Sequence, residues 1–285
     1  MKKPQIVVII AVLAIVGYLY VQPVKGLQKA EEANHSDTKV AGPGVQAGTT
    51  ASNVSVEQVS ETAKSTIGAS LAAPITDLEG KLKAAGGNEK IAIEKQLATK
   101  WDDVNQPGPA AFYYKAVAET EKTADAWIAA GNHFNDAYKL TQDTLVQPTY
   151  LTNAVQSFEQ ARQLAPDNLD AKTGLGIAYV NGGAPSPMAG ISLLLEVVKQ
   201  DPTNRSANLN LGVFSMKSGQ FEKAVERFKT VIAQKPEVEP YFYLAESYKQ
   251  LGRKKEAIEA YNKCKTMMPD PAFGQRIDEY IKELN

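Results

Sequence analysis

Two adjacent stretches near the C-terminus decide the fold: NLGVFSMKSGQFEKAVERFKTVIAQKP at residues 210–236 and YLAESYKQLGRKKEAIEAYNKCKTMMP at residues 243–269. Superimposed with an offset of 33 residues, they share a leucine followed by a small residue, a central glycine, a second small residue, an aromatic residue and a closing proline. A repeated pattern of this length predicts tandem units that stack on one another, because one such unit cannot bury its own apolar face.

Two earlier segments carry the same pattern with insertions. The stretch GLGIAYVNGGAPSPMAGISLLLEVVKQDP at residues 174–202 has two extra residues between its halves, and the segment from Trp127 to Pro166 has eleven, around TQDTLVQPTY. In each unit a small residue stands where two helices must approach closely, and a large residue fills the gap between units. Proline then ends the second helix. We therefore expect four helix-turn-helix units over residues 124–271.

This pattern resembles the tetratricopeptide repeat (TPR), a helix-turn-helix unit of about 34 residues. In the best-matching unit the family's positions fall on Leu211, Gly212, Gly219, Ala224, Phe228 and Pro236. The resemblance covers residues 124–269 and implies an all-α fold, an α-solenoid. It also implies that the first helix of each unit lines a concave face that binds peptides or partner proteins.

The segments flanking the repeats are also predicted to be helical. Residues 272–285 place apolar side chains on one face and would cap the stack, and residues 56–123 are predicted to contain a degenerate repeat with Tyr114 as its filling residue. Between residues 56 and 85, apolar residues recur at helical spacing and predict a seam on one helix face. The seam consists of Leu71, Ile75, Leu78 and Leu82. It would pack against the next element or mediate homo-oligomerisation.

The N-terminus predicts a membrane anchor. Residues 1–3 carry two lysines and form a cytoplasmic n-region, and residues 4–24 are free of charge and long enough to cross a bilayer as a transmembrane helix. Residues 25–55 are rich in Gly, Ala, Ser and Thr and are predicted to form a flexible linker. A cleaved signal peptide is the alternative, but no A-x-A-like site follows the apolar run.

The charge bias around this run favours an N-inside orientation. The protein would then be a single-pass protein of the inner (cytoplasmic) membrane, with its repeats facing the periplasm or the exterior. The formal net charge of −1 argues against nucleic acid as a partner.

The sequence offers no constellation for catalysis. With only two histidines, His35 and His133, and one cysteine, Cys264, no cluster has metal-ligand spacing. We expect His133 to be a surface or packing residue and Cys264 to be a packing residue. We expect no cofactor, no metal and no enzymatic activity. The enzyme hypothesis would revive if His133 lay within hydrogen-bonding distance of a carboxylate in a cleft.

The TPR resemblance also implies a partner-binding groove, carried over position by position from the first helix of each unit. Its residues are Ile128, Asn132, Asn135, Thr173, Ile177, Asn181, Leu209, Val213, Lys217, Phe242, Glu246 and Lys249. TPR domains that clamp a C-terminal carboxylate pair Lys with Asn here, but Ile128 stands where the clamp has Lys, which disfavours that mode. Mixed apolar and polar side chains suit an amphipathic helix or an extended segment.

The combined architecture is similar to that of bacterial inner-membrane TPR proteins that assist secretion, envelope assembly or cytochrome maturation. It implies a membrane-anchored interaction scaffold or chaperone-like adaptor with a protein or peptide partner. A self-assembling structural envelope protein is the alternative function.

Overall fold

A computed structural model of the protein describes residues 54–183 and 186–284. In these two ranges the chain forms thirteen α-helices and no β-strand. The helices are α1 (Val56–Ile67), α2 (Ala69–Leu82), α3 (Gly87–Asp103), α4 (Pro107–Glu121), α5 (Ala124–Leu140), α6 (Gln147–Leu164), α7 (Leu169–Val180), α8 (Pro187–Gln200), α9 (Arg205–Lys217), α10 (Phe221–Gln234), α11 (Val238–Gln250), α12 (Lys254–Met267) and α13 (Pro271–Lys282).

The helices pair into hairpins that stack in chain order. Five hairpins, α3–α4, α5–α6, α7–α8, α9–α10 and α11–α12, each pack against the next, and α13 packs on the last. The fold is therefore an all-α solenoid, as the repeats predict.

The turns between hairpins follow from their sequence. Asn168 and Asn204 each come two residues after a closing proline. Their side-chain oxygens accept hydrogen bonds from the backbone N–H of Ala171 at 2.9 Å and of Ala207 at 3.0 Å. Such caps satisfy a backbone donor that the first helical turn leaves without a partner. Proline thus stops one helix, and asparagine starts the next.

A large side chain from each second helix fills the space between neighbouring hairpins. Phe158 of α6 is fully buried, and its ring lies between Gly131 of α5 and Gly174 of α7. A Cβ atom built on Gly131 or Gly174 would approach ring atoms of Phe158 to 2.7 Å or 2.1 Å. Glycine at both positions therefore makes room for the aromatic ring. Leu194 fills the corresponding space against Gly176 in the next hairpin, although the sequence pattern did not single it out.

The eleven-residue insertion in the hairpin α5–α6 is mostly helical. The two helices are 17 and 18 residues long, whereas the helices of the next hairpin have 12 and 14. Only residues 141–146 remain as a connection. The inserted residues therefore lengthen both helices rather than form one long loop.

The N-terminal helical segment differs from the seam expected there. Gly68, with φ +82°, separates α1 from α2, a backbone conformation that favours glycine. Ile75 is buried and Leu78 and Leu82 pack beside it, but the Leu71 side chain is half exposed. The seam is thus shorter than predicted, because Leu71 in the first turn of α2 lies outside the buried cluster that includes Ile75, Leu78 and Leu82.

Helices long and apolar enough to span a bilayer are absent from residues 54–183 and 186–284. The predicted n-region, transmembrane helix and all but the end of the linker lie outside the described residues.

Candidate functional site

The first helices of the hairpins form the inner side of the curved stack. Consecutive first helices α5, α7, α9 and α11 contact one another directly. In the described part of the chain, no two consecutive second helices pack extensively. Because the inner elements of a curved stack lie closer together than the outer ones, α5, α7, α9 and α11 line the concave face.

An ion pair shows how strongly this face curves. The Lys139 ammonium at the end of α5 lies 3.1 Å from the Glu239 carboxylate at the start of α11. At 8–10 Å between neighbouring axes, four helices in a flat row would place the outer two about 25–30 Å apart. The stack therefore curls until its first and fourth inner helices meet at one end.

The predicted residues of α5 divide between the surface and the hairpin interface. Asn132 is exposed, and Ile128 is half-buried against the core around Phe158. The Asn135 amide donates a hydrogen bond to the Gly174 carbonyl at 3.1 Å. Asn135 thus joins α5 to α7, whereas Asn132 is available to a partner.

The predicted residues of α7 contribute mainly to packing. Thr173 is only 4% exposed, and its hydroxyl donates to the Leu169 carbonyl at 2.7 Å. Ile177 is half-buried, and the backbone carbonyl of Asn181 accepts a hydrogen bond from the Tyr138 hydroxyl at 3.0 Å. Thr173 therefore lies inside the structure rather than on the groove surface.

The predicted residues of α9 form an amphipathic strip on the inner side. Leu209 and Val213 are half-buried and pack against the C-terminal core. Lys217 is exposed, with its ammonium 5.9 Å from the centroid of the Phe214 ring. This strip offers apolar surface next to a cation, the mixture that an amphipathic segment needs.

The predicted residues of α11 are engaged by α13 or the neighbouring helix. The Phe242 ring lies 5.7 Å from that of Tyr280. The Lys249 ammonium pairs with Glu283 at 2.7 Å and lies 5.7 Å from the Tyr280 centroid. Glu246 accepts a hydrogen bond from the Tyr261 hydroxyl of α12. The pKa of Tyr261 is raised mainly by burial and also by this hydrogen bond. The capping helix thus covers much of this end of the groove.

Two residues outside the predicted groove set, Lys139 and Glu239, form an ion pair across the concave face. The Tyr243 hydroxyl donates a hydrogen bond to Glu239 at 3.2 Å. Burial and the neighbouring Glu239 raise the pKa of Tyr243. Lys139 follows the small residue of its repeat by eight positions, inside the segment whose register the insertion obscured. Lys139 and Glu239 are 100 residues apart, so their proximity depends on the tertiary structure and not on the local sequence pattern.

His133 lies in a polar junction between two hairpins. Its Nε2 is 3.1 Å from a carboxylate oxygen of Asp102, and its Nδ1 is 2.8 Å from the Ala129 carbonyl. Its ring stacks on Tyr114 at 4.0 Å, and the Tyr114 hydroxyl donates to Asp102 at 2.7 Å. The half-buried Tyr114 thus packs between the hairpins α3–α4 and α5–α6.

This junction supplies one of the two conditions that would revive an enzyme hypothesis, a carboxylate near His133. Each ring nitrogen of His133 contacts an oxygen atom of the protein itself. Burial and the Asp102 hydrogen bond raise the pKa of Tyr114 to about 12, which disfavours its phenolate near neutral pH. The arrangement links the hairpins α3–α4 and α5–α6.

Cys264 occupies the interior of the last hairpin. Its side chain is fully buried on α12, with Sγ 3.6 Å from the Val238 carbonyl. Burial raises the pKa of this thiol to about 11. Since the thiolate is the reactive form, Cys264 behaves as a small packing residue. Within residues 54–183 and 186–284, no group of three His, Cys, Asp or Glu side chains could hold a metal ion.

Comparison with known proteins supports the repeat assignment. Residues 238–271, which contain α11 and α12, match the family model of the tetratricopeptide repeat. A comparison with curated proteins finds no match to the chain.

Among solved structures, the chain is similar to one in "Crystal structure of APC/C hetero-tetramer Cut9-Hcn1", with a TM-score of 0.54 and 16% identity over 80% of this chain and 41% of that chain. It also matches "Crystal structure of YrrB: a TPR protein with an unusual peptide-binding site", with a TM-score of 0.42 and 19% identity over 72% and 97% of the two chains. A third match is "Crystal structure of MamA protein", with a TM-score of 0.44 and 20% identity over 65% and 96%. The first of these shows a shared solenoid fold.

Proposed function

We propose that the protein is a non-catalytic interaction scaffold or chaperone-like adaptor that binds a segment of a partner protein on its concave face. The observation that carries the proposal is the curled row of α5, α7, α9 and α11. It presents the exposed Asn132 on α5, and on α9 the exposed Lys217 with the half-buried Leu209 and Val213. Polar side chains around apolar surface can orient and hold a helical or extended segment.

We expect fewer partner-binding residues than the repeat positions imply. The candidates that remain are Ile128, Asn132, Ile177, Leu209, Val213 and Lys217, because Thr173 is buried, Asn135 bonds to α7 and α11 is largely engaged by its neighbours. Binding would therefore centre on α5 and α9. The partner is a protein or peptide rather than nucleic acid, since the chain has no excess of basic residues.

A pair of exposed inner substitutions tests the binding surface. Asn132→Arg with Lys217→Glu changes inner side chains without disturbing the core, and Gln160→Arg with Lys255→Glu makes matched changes at exposed sites on second helices. Partners captured from mild detergent by the tagged full-length protein would be identified by mass spectrometry. Loss of a partner from the inner variant alone supports the proposal. Equal retention in both variants, or capture of the protein itself alone, contradicts it, and the latter outcome favours self-assembly.

We further propose that residues 4–24 anchor this scaffold in the inner membrane, with the repeats facing the periplasm or the exterior. The support is the uncharged length of this segment and the two lysines that precede it. A reporter fused after residue 285 tests the orientation. Activity only of a reporter that works in the cytoplasm contradicts it, and release of the protein into the soluble fraction contradicts the anchor.

A further inference from the structure

The ion pair between Lys139 and Glu239 depends on the insertion in the hairpin α5–α6. The inner helices α7, α9 and α11 end four or five residues after the small residue at their hairpin crossing. In contrast, α5 ends at Leu140, nine residues after Gly131. Lys139 lies in this added turn, so a repeat of ordinary length would have no helical residue at this place.

The added turn is held in place by its own contacts. The Tyr138 hydroxyl donates to the Asn181 carbonyl at the end of α7, at 3.0 Å, and its ring packs on the neighbouring core. The Thr141 N–H donates to the Ala137 carbonyl at 3.0 Å, which closes the last turn of α5. Lys139 is therefore presented by an anchored helical turn rather than by a loose connection.

Glu239, on the opposite side of the contact, is also held in a favourable position. Glu239 lies in the first turn of α11, where the helix dipole favours a negative charge, and it also accepts a hydrogen bond from Tyr243. Lys139 lies in the last turn of α5, where the dipole favours a positive charge. Each helix end thus stabilises the charge of the residue that it carries, and the two charges are of opposite sign.

The pair is also easy to break. The side chains of Lys139 and Glu239 are 63% and 44% exposed, so water can solvate both when they separate. Salt weakens the attraction between exposed charges, and the screening length falls from about 8 Å at physiological ionic strength to about 3 Å at 1 M, which is comparable to the separation of this pair. A contact with these properties can open and close without unfolding either helix.

We propose that Lys139 and Glu239 form a clasp that holds the concave face in its curled state, and that opening of the clasp admits the partner segment. The second part of this proposal, that opening of the clasp admits the partner segment, rests on the proposed function. The clasp itself is a property of the protein alone and can be tested without a partner.

The test is a distance measurement across the clasp in the full-length protein. Spin labels on Gln142→Cys and Ala233→Cys, both exposed, report the separation between the end of α5 and the end of α10 just before α11. The native Cys264 is buried, with a thiol pKa raised to about 11, and so remains unlabelled. Pulsed electron paramagnetic resonance then gives the distribution of distances between the two spin labels.

Charge reversal and charge exchange separate the clasp from simple packing. Lys139→Glu should lengthen and broaden the distribution, and the exchange of both charges in Lys139→Glu with Glu239→Lys should restore it. Lys263→Glu, an exposed change of the same charge on α12, should leave it unchanged. High salt should shift the wild type toward the Lys139→Glu distribution. A Lys139→Glu distribution equal to that of the wild type, or an exchange that does not restore it, would overturn the clasp.

Binding measured with the same variants distinguishes the two proposals. Once a partner is captured, Lys139→Glu should bind it several-fold more tightly than the wild type, and the exchanged pair should bind like the wild type. If the distances respond but affinity does not, the clasp stands and its control of partner entry is wrong. If no partner depends on the inner surface, the proposed function fails while the distance result remains.

Discussion

The contact between Phe158 and Gly174 gives the sharpest prediction about stability. In Gly174→Ala the new Cβ would lie 2.1 Å from Cζ and 2.2 Å from Cε1 of Phe158, whereas carbon atoms prefer a separation of about 3.5–4.0 Å. The ring cannot retreat, because it is fully buried and faces Gly131 on its other side, where a Cβ would be 2.7 Å away. One of the two hairpins must therefore move.

The size of the effect follows from two opposing terms. Overpacking of a core costs about 1–3 kcal/mol. Replacing a helical glycine by alanine stabilises the helix by about 0.5–1 kcal/mol. We therefore expect Gly174→Ala to lower the free energy of unfolding by roughly 0–2.5 kcal/mol, where an unhindered glycine would show a gain. In a chain of this size that corresponds to about 2–4 °C in Tm for every kcal/mol.

A matched control isolates the steric term. Gly80 lies within α2, and a Cβ added there would meet no atom within 4 Å, so Gly80→Ala should stabilise the protein or leave it unchanged. Phe158→Leu removes the ring atoms that clash, so the double variant Gly174→Ala with Phe158→Leu should lose less stability than the two single losses combined. Thermal unfolding by circular dichroism gives Tm, and hydrogen exchange in α6 and α7 locates the change. If Gly174→Ala is as stable as Gly80→Ala, the described packing between hairpins is wrong.

Three further predictions concern two individual residues and one hydrogen-bonded pair. Cys264 should resist a maleimide in the native protein and react on unfolding, because burial raises its thiol pKa to about 11; rapid native labelling would contradict its burial. Burial raises the pKa of Glu94, so the folded chain retains a proton that the unfolded chain releases, and stability falls as pH rises from the ordinary glutamate pKa through the raised value. The Tm gain of Glu94→Gln over the wild type should therefore be larger at pH 7 than at pH 4, and an equal gain would refute this. Asp102→Asn and His133→Gln should show a coupling energy on the order of 1 kcal/mol in a double-mutant cycle by urea unfolding, and additive losses would argue against their hydrogen bond.

The repeated hairpins could be predicted from the sequence because their pattern is local. Gly212 and Phe228 lie sixteen residues apart in one unit, and in the structure a Cβ on Gly212 would touch the Phe228 ring at 2.6 Å. A small residue and a large residue recur at the equivalent positions of the next unit, Ala245 and Tyr261. The fate of the insertion was not predictable in the same way, because residues that lengthen two helices and residues that form a loop can share one composition.

The groove residues were harder to predict because tertiary packing decides which of them are exposed. Thr173 stands at a groove position but is buried, since its hydroxyl bonds to its own helix and the neighbouring helices cover it. Phe242 and Lys249 contact Tyr280 of the capping helix, a contact that no repeat position encodes. Non-local geometry of this kind depends on how many hairpins stack and how strongly they curve.

The central claim is that the partner binds the concave face, and site-specific photo-crosslinking tests it most directly. A photoreactive amino acid would replace Asn132 or Lys217 on the inner side and, as controls, Gln160 or Lys255 on second helices, all of which are exposed. We expect the same partner to be crosslinked from both inner positions and from neither control. Crosslinks that form only from Gln160 or Lys255, or only between copies of the protein, would contradict it.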